Sequence, residues 1–272
     1  MSNNIFSSKT ASLSPVLTSY DFLKTAAIVL MVIDHIGYFF YPDDLWLRAV
    51  GRMSAPIWFF MIGYARSRDV GPRMWIAAGV MIAWNFVTGF SQLPLGIIAT
   101  MIVMRLVLDP LMSAIARKPS SLYPIVAVLF VIAFPSSIVL EYGTPAMLIV
   151  MAGYMTRNRE SLPWDKSQYA TYCMVAAACY LLYQVQVFFP FNTPQKILAG
   201  AEIIGVMVLL MNFRPFSYPE LTAKMPGLVA GFFRLCGRRS LEIYVLHLIA
   251  FKIIALSYSH MAHEYFTFHI LV

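Results

Sequence analysis

Apolar runs of about eighteen residues or more recur along this chain, separated by short polar connections. At about 1.5 Å per residue, runs of that length match the thickness of a bilayer core. The pattern predicts helices over about Tyr20–Tyr41, Trp46–Tyr64, Met74–Phe90, Leu95–Met112 and Leu122–Phe134. A short helix to Met155 follows, then Gln168–Phe189, Gln195–Met211 and Ser240–Tyr258. The fold class is therefore all-α, a polytopic membrane bundle of about nine spans. The segments around 122–156 are short enough to form a re-entrant pair, which sets the range at eight to ten. Residues 1–19 are polar and read as a disordered N-terminal segment; residues 20–259 read as one domain and 260–272 as a short tail. The first apolar segment is too long for a cleavable signal peptide and lacks a small-x-small site, so it reads as a retained anchor. The part Leu228–Leu235 of the long connection before the last helix suits a surface-lying helix.

Composition strengthens the membrane reading. Of 272 residues, 60% are hydrophobic and 12% charged, with mean hydropathy +0.70. A soluble domain carries roughly 25% charged residues. The net charge of +7 does not indicate nucleic acid. Lys and Arg cluster in alternate loops, which places those loops and the N-terminus of a multi-pass membrane protein in the cytoplasm. Cys173, Cys179 and Cys236 lack metal-ligand spacing and read as packing residues, and no metal is expected.

Charges inside the predicted spans carry the candidate chemistry. The first helix, YDFLKTAAIVLMVIDHIGYFFY, holds Lys24 near its start and Asp34-His35 deep inside. An acidic residue at a helix centre costs ~2.5–3.5 kcal/mol on insertion scales, so such a pair is expected to be used. Lys24 and His35 are eleven residues apart, close to three turns, and share one face. Asp34 points about 100° away. Asp34 and Arg52 each lie about nine residues from Asp43 in the turn between the first two helices, which predicts a salt bridge between them. Arg105 and Asp109, four apart, are expected to pair with each other. Glu141 falls near the outer ends of its helices and Glu202 inside a span. His247 lies in the inner half to middle of the last helix; His260, His263 and His269 are in the tail without metal spacing.

No nucleotide loop, nucleophile elbow or zinc pair is present. What remains is a cation at the inner mouth followed by a histidine at depth. That line suits an elongated donor with an anionic head and a reactive end, such as acetyl-CoA. Its phosphates would meet Lys24 and the loop arginines Arg66 and Arg68, its thioester would reach toward His35, and Asp34 stands beside His35 as a catalytic candidate. A neutral imidazole in an apolar site is a suitable general base for an amine or hydroxyl acceptor. The same groups suit a proton-linked transporter, although no internal repeat is visible. A non-catalytic assembly protein is a further alternative.

Phe22-Leu23-Lys24-Thr25-Ala26, Leu30 to Ile36, and Gly51-Arg52 with Ala55-Pro56 resemble the TraX family of conjugal-transfer membrane proteins. Tyr142-Gly143 fits the same resemblance. Gly237–Ser240 with Ile243-Tyr244-Val245-Leu246-His247 is similar to the last helix of the wider transmembrane acyltransferase superfamily. That superfamily typically has Arg, ten residues, then His in its first helix; here the basic position is Lys24. The resemblance implies an acetyl-CoA-dependent acetyltransferase, with His35 catalytic, Lys24 donor-binding and Arg52 site-shaping. His247, Glu141 and Arg52 would orient the acceptor, and Tyr142 would help shape the site. The implied acceptor is a conjugative pilin N-terminus; a cell-surface or lipid-linked glycan is the alternative, and nucleic acid is not a partner.

Overall fold

A computed structural model of the chain describes residues 16–184 and 190–257. The tail histidines and the ends of two predicted helices lie outside the described residues. Among the described residues every regular element is helical apart from isolated bridges. The first helix, α1 (Ser19–Phe40), starts where Asp21 Oδ2 accepts hydrogen bonds from the Thr18 amide at 2.9 Å and hydroxyl at 2.8 Å. This satisfies an end amide and puts an acidic group at the positive end of the helix.

The second predicted span is broken. It forms α2 (Trp46–Gly51) and α3 (Ser54–Tyr64), with Arg52 and Met53 in the turn between them. There follow α4 (Pro72–Thr88), closed by Gly89 in the left-handed region at φ 68°, and α5 (Ile97–Arg117). Next, α6 (Leu122–Val131) and α7 (Ala133–Val139) meet at a 58° bend. Then come α8 (Pro145–Asn158), α9 (Lys166–Tyr183) and α10 (Thr193–Met211). Finally α11 (Pro219–Lys224) and α12 (Gly227–Arg238) lead into α13 (Ser240–Ser257). Capping boxes start α9, at Asp165 and Gln168, and α10, at Asn192 and Gln195.

Nine full spans are not reproduced. Among the described residues four helices, α1, α5, α10 and α13, are long and apolar enough to cross a membrane, or five elements if the bent α6–α7 pair makes one span. Of the other four predicted spans, the second is broken at Arg52, α4 and α8 have 17 and 14 residues, and α9, with 18, is not apolar enough over its described residues.

That short α8 is the centre of the bundle. Residues Ala146 to Ala152 are each at most 3% exposed, and α3 packs against them. The crossing depends on two glycines. A Cβ on Gly63 would run into the Val150 carbonyl oxygen, and one on Gly153 into the Phe60 carbonyl oxygen. Small residues let helix backbones approach closely where lipid offers no hydrophobic drive for association. The outer surface is apolar, as at Val128, Val131 and Phe134, which suits contact with lipid chains. On α12, Leu228, Phe232 and Leu235 recur on one helical face and are exposed.

Candidate active site

Two cavities run into the bundle from opposite ends of α1 and α13 and meet in its middle. The larger, about 820 Å³, is lined at its mouth by Lys24, Arg66, Arg105, Arg157 and Ser240. The smaller, about 410 Å³, is lined at the other end by Tyr38, Asn85, Phe90 to Pro94 and Lys252. Asp34, His35, Ile98, Glu141, Tyr142 and Tyr244 line both. The face of α1 carrying Lys24 and His35 thus faces the larger cavity, as the eleven-residue spacing predicts.

His35 is held by the last helix. Its Nδ1 lies 2.8 Å from Nε2 of His247. Nδ1 of His247 lies 2.9 Å from the Ile243 carbonyl oxygen, one turn earlier in α13. A carbonyl only accepts, so Nδ1 of His247 carries the proton and its Nε2 is the acceptor. With neutral rings, His35 donates through Nδ1 and keeps an unprotonated Nε2. The ring also meets Tyr244 edge-on, with centroids 6.2 Å apart. The result is an imidazole fixed in one tautomer at the junction of two cavities. His247 lines neither cavity, so its place is behind His35 rather than against a bound acceptor.

Asp34 points the other way, into the α1–α2 hairpin. It pairs with Arg52 (Nε to Oδ1 3.4 Å), as the counting from Asp43 predicts. It also takes a shorter contact from Arg48 (Nη1 to Oδ2 2.8 Å), which donates to the Asp34 carbonyl at 3.2 Å as well. Gly51 makes this possible, since any side chain there would collide with the Asp34 backbone. Asp34 is 5% and Arg48 8% exposed, so this is a buried charge cluster. Removing one partner of such a cluster leaves an uncompensated charge.

Arg52 reaches across to the α7–α8 turn, donating to the Tyr142 hydroxyl at 2.7 Å. Tyr142 has φ 69° and Gly143 φ 52°. A positive φ on a tyrosine costs of order 1–3 kcal/mol and persists only where the surroundings enforce it. Here Leu95 enforces it: the Leu95 amide donates to Val139 at 2.8 Å and its carbonyl accepts from the Glu141 amide at 2.9 Å. Thr100 Oγ1 adds a bond to the Glu141 carbonyl at 2.8 Å. The turn is thereby pinned to α5, and Glu141 and Tyr142 both face the junction.

The mouth of the larger cavity is cationic. The Lys24 amine donates to the Gly237 carbonyl at 3.1 Å and also lines the cavity. Arg66 lines it too, but Arg68 does not. Arg68 Nε pairs with Asp109 at 3.1 Å, and Arg68 donates to the Gly63 carbonyl at 3.0 Å and covers the Tyr154 ring. Arg105 therefore does not pair with Asp109. It holds the Ser67 and Asp69 carbonyls at 3.4 and 3.5 Å and lines the cavity. The loop after α3 folds back over α5 and takes the carboxylate that the i, i+4 spacing assigned to Arg105.

Several cavity residues were not assigned to the site from the sequence: Arg48, Trp58, Arg105, Arg157, Tyr244 and Lys252. Trp58 lines the larger cavity, and its buried Nε1 has no hydrogen-bond partner among the described residues. Lys252 carried a legible signal, an ionisable side chain inside an apolar helix five residues beyond His247. Among the described residues no three His, Cys, Asp or Glu side chains converge as a metal site.

The uncharacterized protein RP591 of Rickettsia prowazekii (strain Madrid E) is 25% identical over 145 residues. The alignment covers 53% of this chain and 58% of that relative, so the chain spans a little over half the length of the curated relative it matches. No solved structure matches the chain. The family model described as TraX protein matches residues 19–255, which hold every site residue described above. The chain belongs to the TraX family.

Proposed function

We propose that this protein is an integral membrane acetyltransferase that moves an acetyl group from cytoplasmic acetyl-CoA to a membrane-associated acceptor. The observation that carries the reading is His35, with an unprotonated Nε2, at the junction of two cavities opening at opposite ends of the bundle. The family's association with pilin acetylation supports a conjugative pilin N-terminus as the acceptor.

In this reading the larger cavity takes the donor. Lys24, Arg66, Arg105 and Arg157 supply cations for its phosphates, by charge-assisted hydrogen bonds. The arginines of the loops at this end support a cytoplasmic mouth here. The smaller cavity takes the acceptor. Nε2 of His35 accepts a proton from the acceptor amine as the nitrogen bonds to the acyl carbon. The carbon–sulfur bond then breaks, and the imidazolium returns the proton to the leaving thiolate. His247 holds the tautomer and stabilises the imidazolium through their shared hydrogen bond. Trp58 Nε1, buried and unpartnered on the same cavity, is the donor available to the acyl oxygen as negative charge develops there. Asp34 acts by holding Arg48 and Arg52, which keep Tyr142 and the α7–α8 turn in place.

The test uses sealed vesicles containing the full chain, with labelled acetyl-CoA on the side of Lys24 and a pilin-derived peptide on the other. Label on the peptide amine is the expected result. Label only when donor and acceptor share one side refutes the two-mouth arrangement, and CoA release without peptide label moves the acceptor to glycans.

A further inference from the structure

The smaller cavity contains polar groups for which proton transfer at His35 gives no use. Lys252 is 6% exposed, although it lines this cavity from within an apolar helix. Its amine bonds to Asn85 Oδ1 and lies 4.2 Å from the centre of the Phe90 ring. Asn85 is set in that orientation because its Nδ2 donates to the Ser91 carbonyl at 3.1 Å. Among the described residues no carboxylate lies within ion-pair range of Lys252, although Arg48, Arg52, Arg68 and Arg238 all have one. On the same cavity, Gln92 is 7% exposed, and its buried Oε1 has no hydrogen-bond partner among the described residues.

Each of these is costly inside a membrane. An ionisable group there is normally paired, and a buried carbonyl without a donor bears its full desolvation penalty. A cation and an unpartnered acceptor on residues lining one cavity suit a ligand with the reverse pattern, an anion and a donor. Lys252 stands five residues beyond His247 on α13, about 7.5 Å further along the helix axis. A ligand whose nucleophile reaches His35 therefore brings a group one to two turns away against Lys252.

We propose, on the strength of the acetyltransferase reading, that the smaller cavity selects acceptors carrying an anionic group, carboxylate or phosphate, several ångströms from the nucleophilic amine or hydroxyl. Lys252 meets the anion, and Gln92 Oε1 takes a hydrogen bond from a neutral N–H or O–H of the same molecule. The ring of Phe90 and the Asn85 amide keep the amine aimed into the cavity while the acceptor is away.

The test compares 6-aminohexanoate with 6-aminohexanamide as acceptors for the full chain in neutral detergent. KM for the carboxylate is expected to be at least tenfold lower than for the amide, and the preference is expected to vanish in Lys252→Gln. Lys252→Arg is expected to keep the preference, which separates loss of charge from loss of fold. Independently of turnover, hexanoate or hexyl phosphate is expected to raise the thermal unfolding midpoint of the wild type but not of Lys252→Gln. Equal KM for acid and amide in the wild type overturns the proposal. So does stabilisation by phosphatidylglycerol vesicles alone, with none from the soluble anions, because the cation then serves a lipid headgroup. Stabilisation by hexanoate without acetylation of any amine keeps the anion site and removes the acetyltransferase reading.

Discussion

His35 and His247, 212 residues apart, lie within hydrogen-bond distance, Nδ1 to Nε2 at 2.8 Å. The last helix therefore sets the proton position on the first. His247 is in turn set by the Ile243 carbonyl. Donation runs one way, from His35 through His247 to the Ile243 carbonyl, and leaves Nε2 of His35 unprotonated.

This relationship makes a graded prediction at position 247. His247→Ala removes the acceptor for the Nδ1 proton and frees the tautomer, and kcat is expected to fall about 10²-fold with KM for acetyl-CoA unchanged. His247→Gln offers a side-chain oxygen in place of Nε2 and is expected to recover part of the loss. Equal activity in the two variants contradicts the assignment.

The Asp34 cluster predicts a stability effect. Asp34→Ala leaves Arg48 and Arg52 buried without their carboxylate. Breaking a buried pair on one side costs about 3–5 kcal/mol. The thermal unfolding midpoint in detergent is expected to drop sharply for Asp34→Ala and much less for Asp109→Ala, whose carboxylate is more than half exposed.

Packing at the α3–α8 crossing predicts another. Gly153→Leu forces a side chain against the Phe60 carbonyl in the most buried part of the bundle. The variant is expected to yield little folded protein by size-exclusion chromatography, whereas Gly231→Leu, with open space around its Cβ position, is expected to match the wild type.

At the mouth of the larger cavity the expectation is a binding effect. Lys24→Ala removes one charge-assisted contact, and about 1.4 kcal/mol corresponds to a tenfold change. KM for acetyl-CoA is expected to rise roughly tenfold with kcat little changed, and Lys24→Arg to restore it. Arg68→Ala is expected to leave KM near the wild-type value, since Arg68 is tied to Asp109 and does not line the cavity. Initial rates across donor concentrations decide the matter.

Much of the site was readable along the chain, because depth and face follow from counting along a helix. Eleven residues put Lys24 and His35 on one cavity wall, and equal distances from Asp43 put Arg52 beside Asp34. Counting failed where the chain leaves the helix. Arg48, one turn closer to the hairpin than Arg52, reaches the same carboxylate because a guanidinium on a long stem spans the difference. The route of the loop after α3 has no periodicity, so the transfer of Asp109 from Arg105 to Arg68 was not visible. His247 was marked for its depth, but its partner depends on α13 packing against α1, which hydropathy does not encode. The number of spans failed for a related reason. A hydropathy window passes over a break such as Arg52–Met53 and reads two short helices as one.

The most direct test is acetyl transfer from radiolabelled acetyl-CoA in membranes holding either the wild type or His35→Ala, with and without a pilin acceptor. Wild-type membranes are expected to label the pilin N-terminus, and His35→Ala membranes to label it at least 10²-fold more slowly while still binding the donor. Transfer by His35→Ala at the wild-type rate contradicts the role of the histidine, and wild-type membranes that neither bind nor cleave acetyl-CoA contradict the acetyltransferase reading itself.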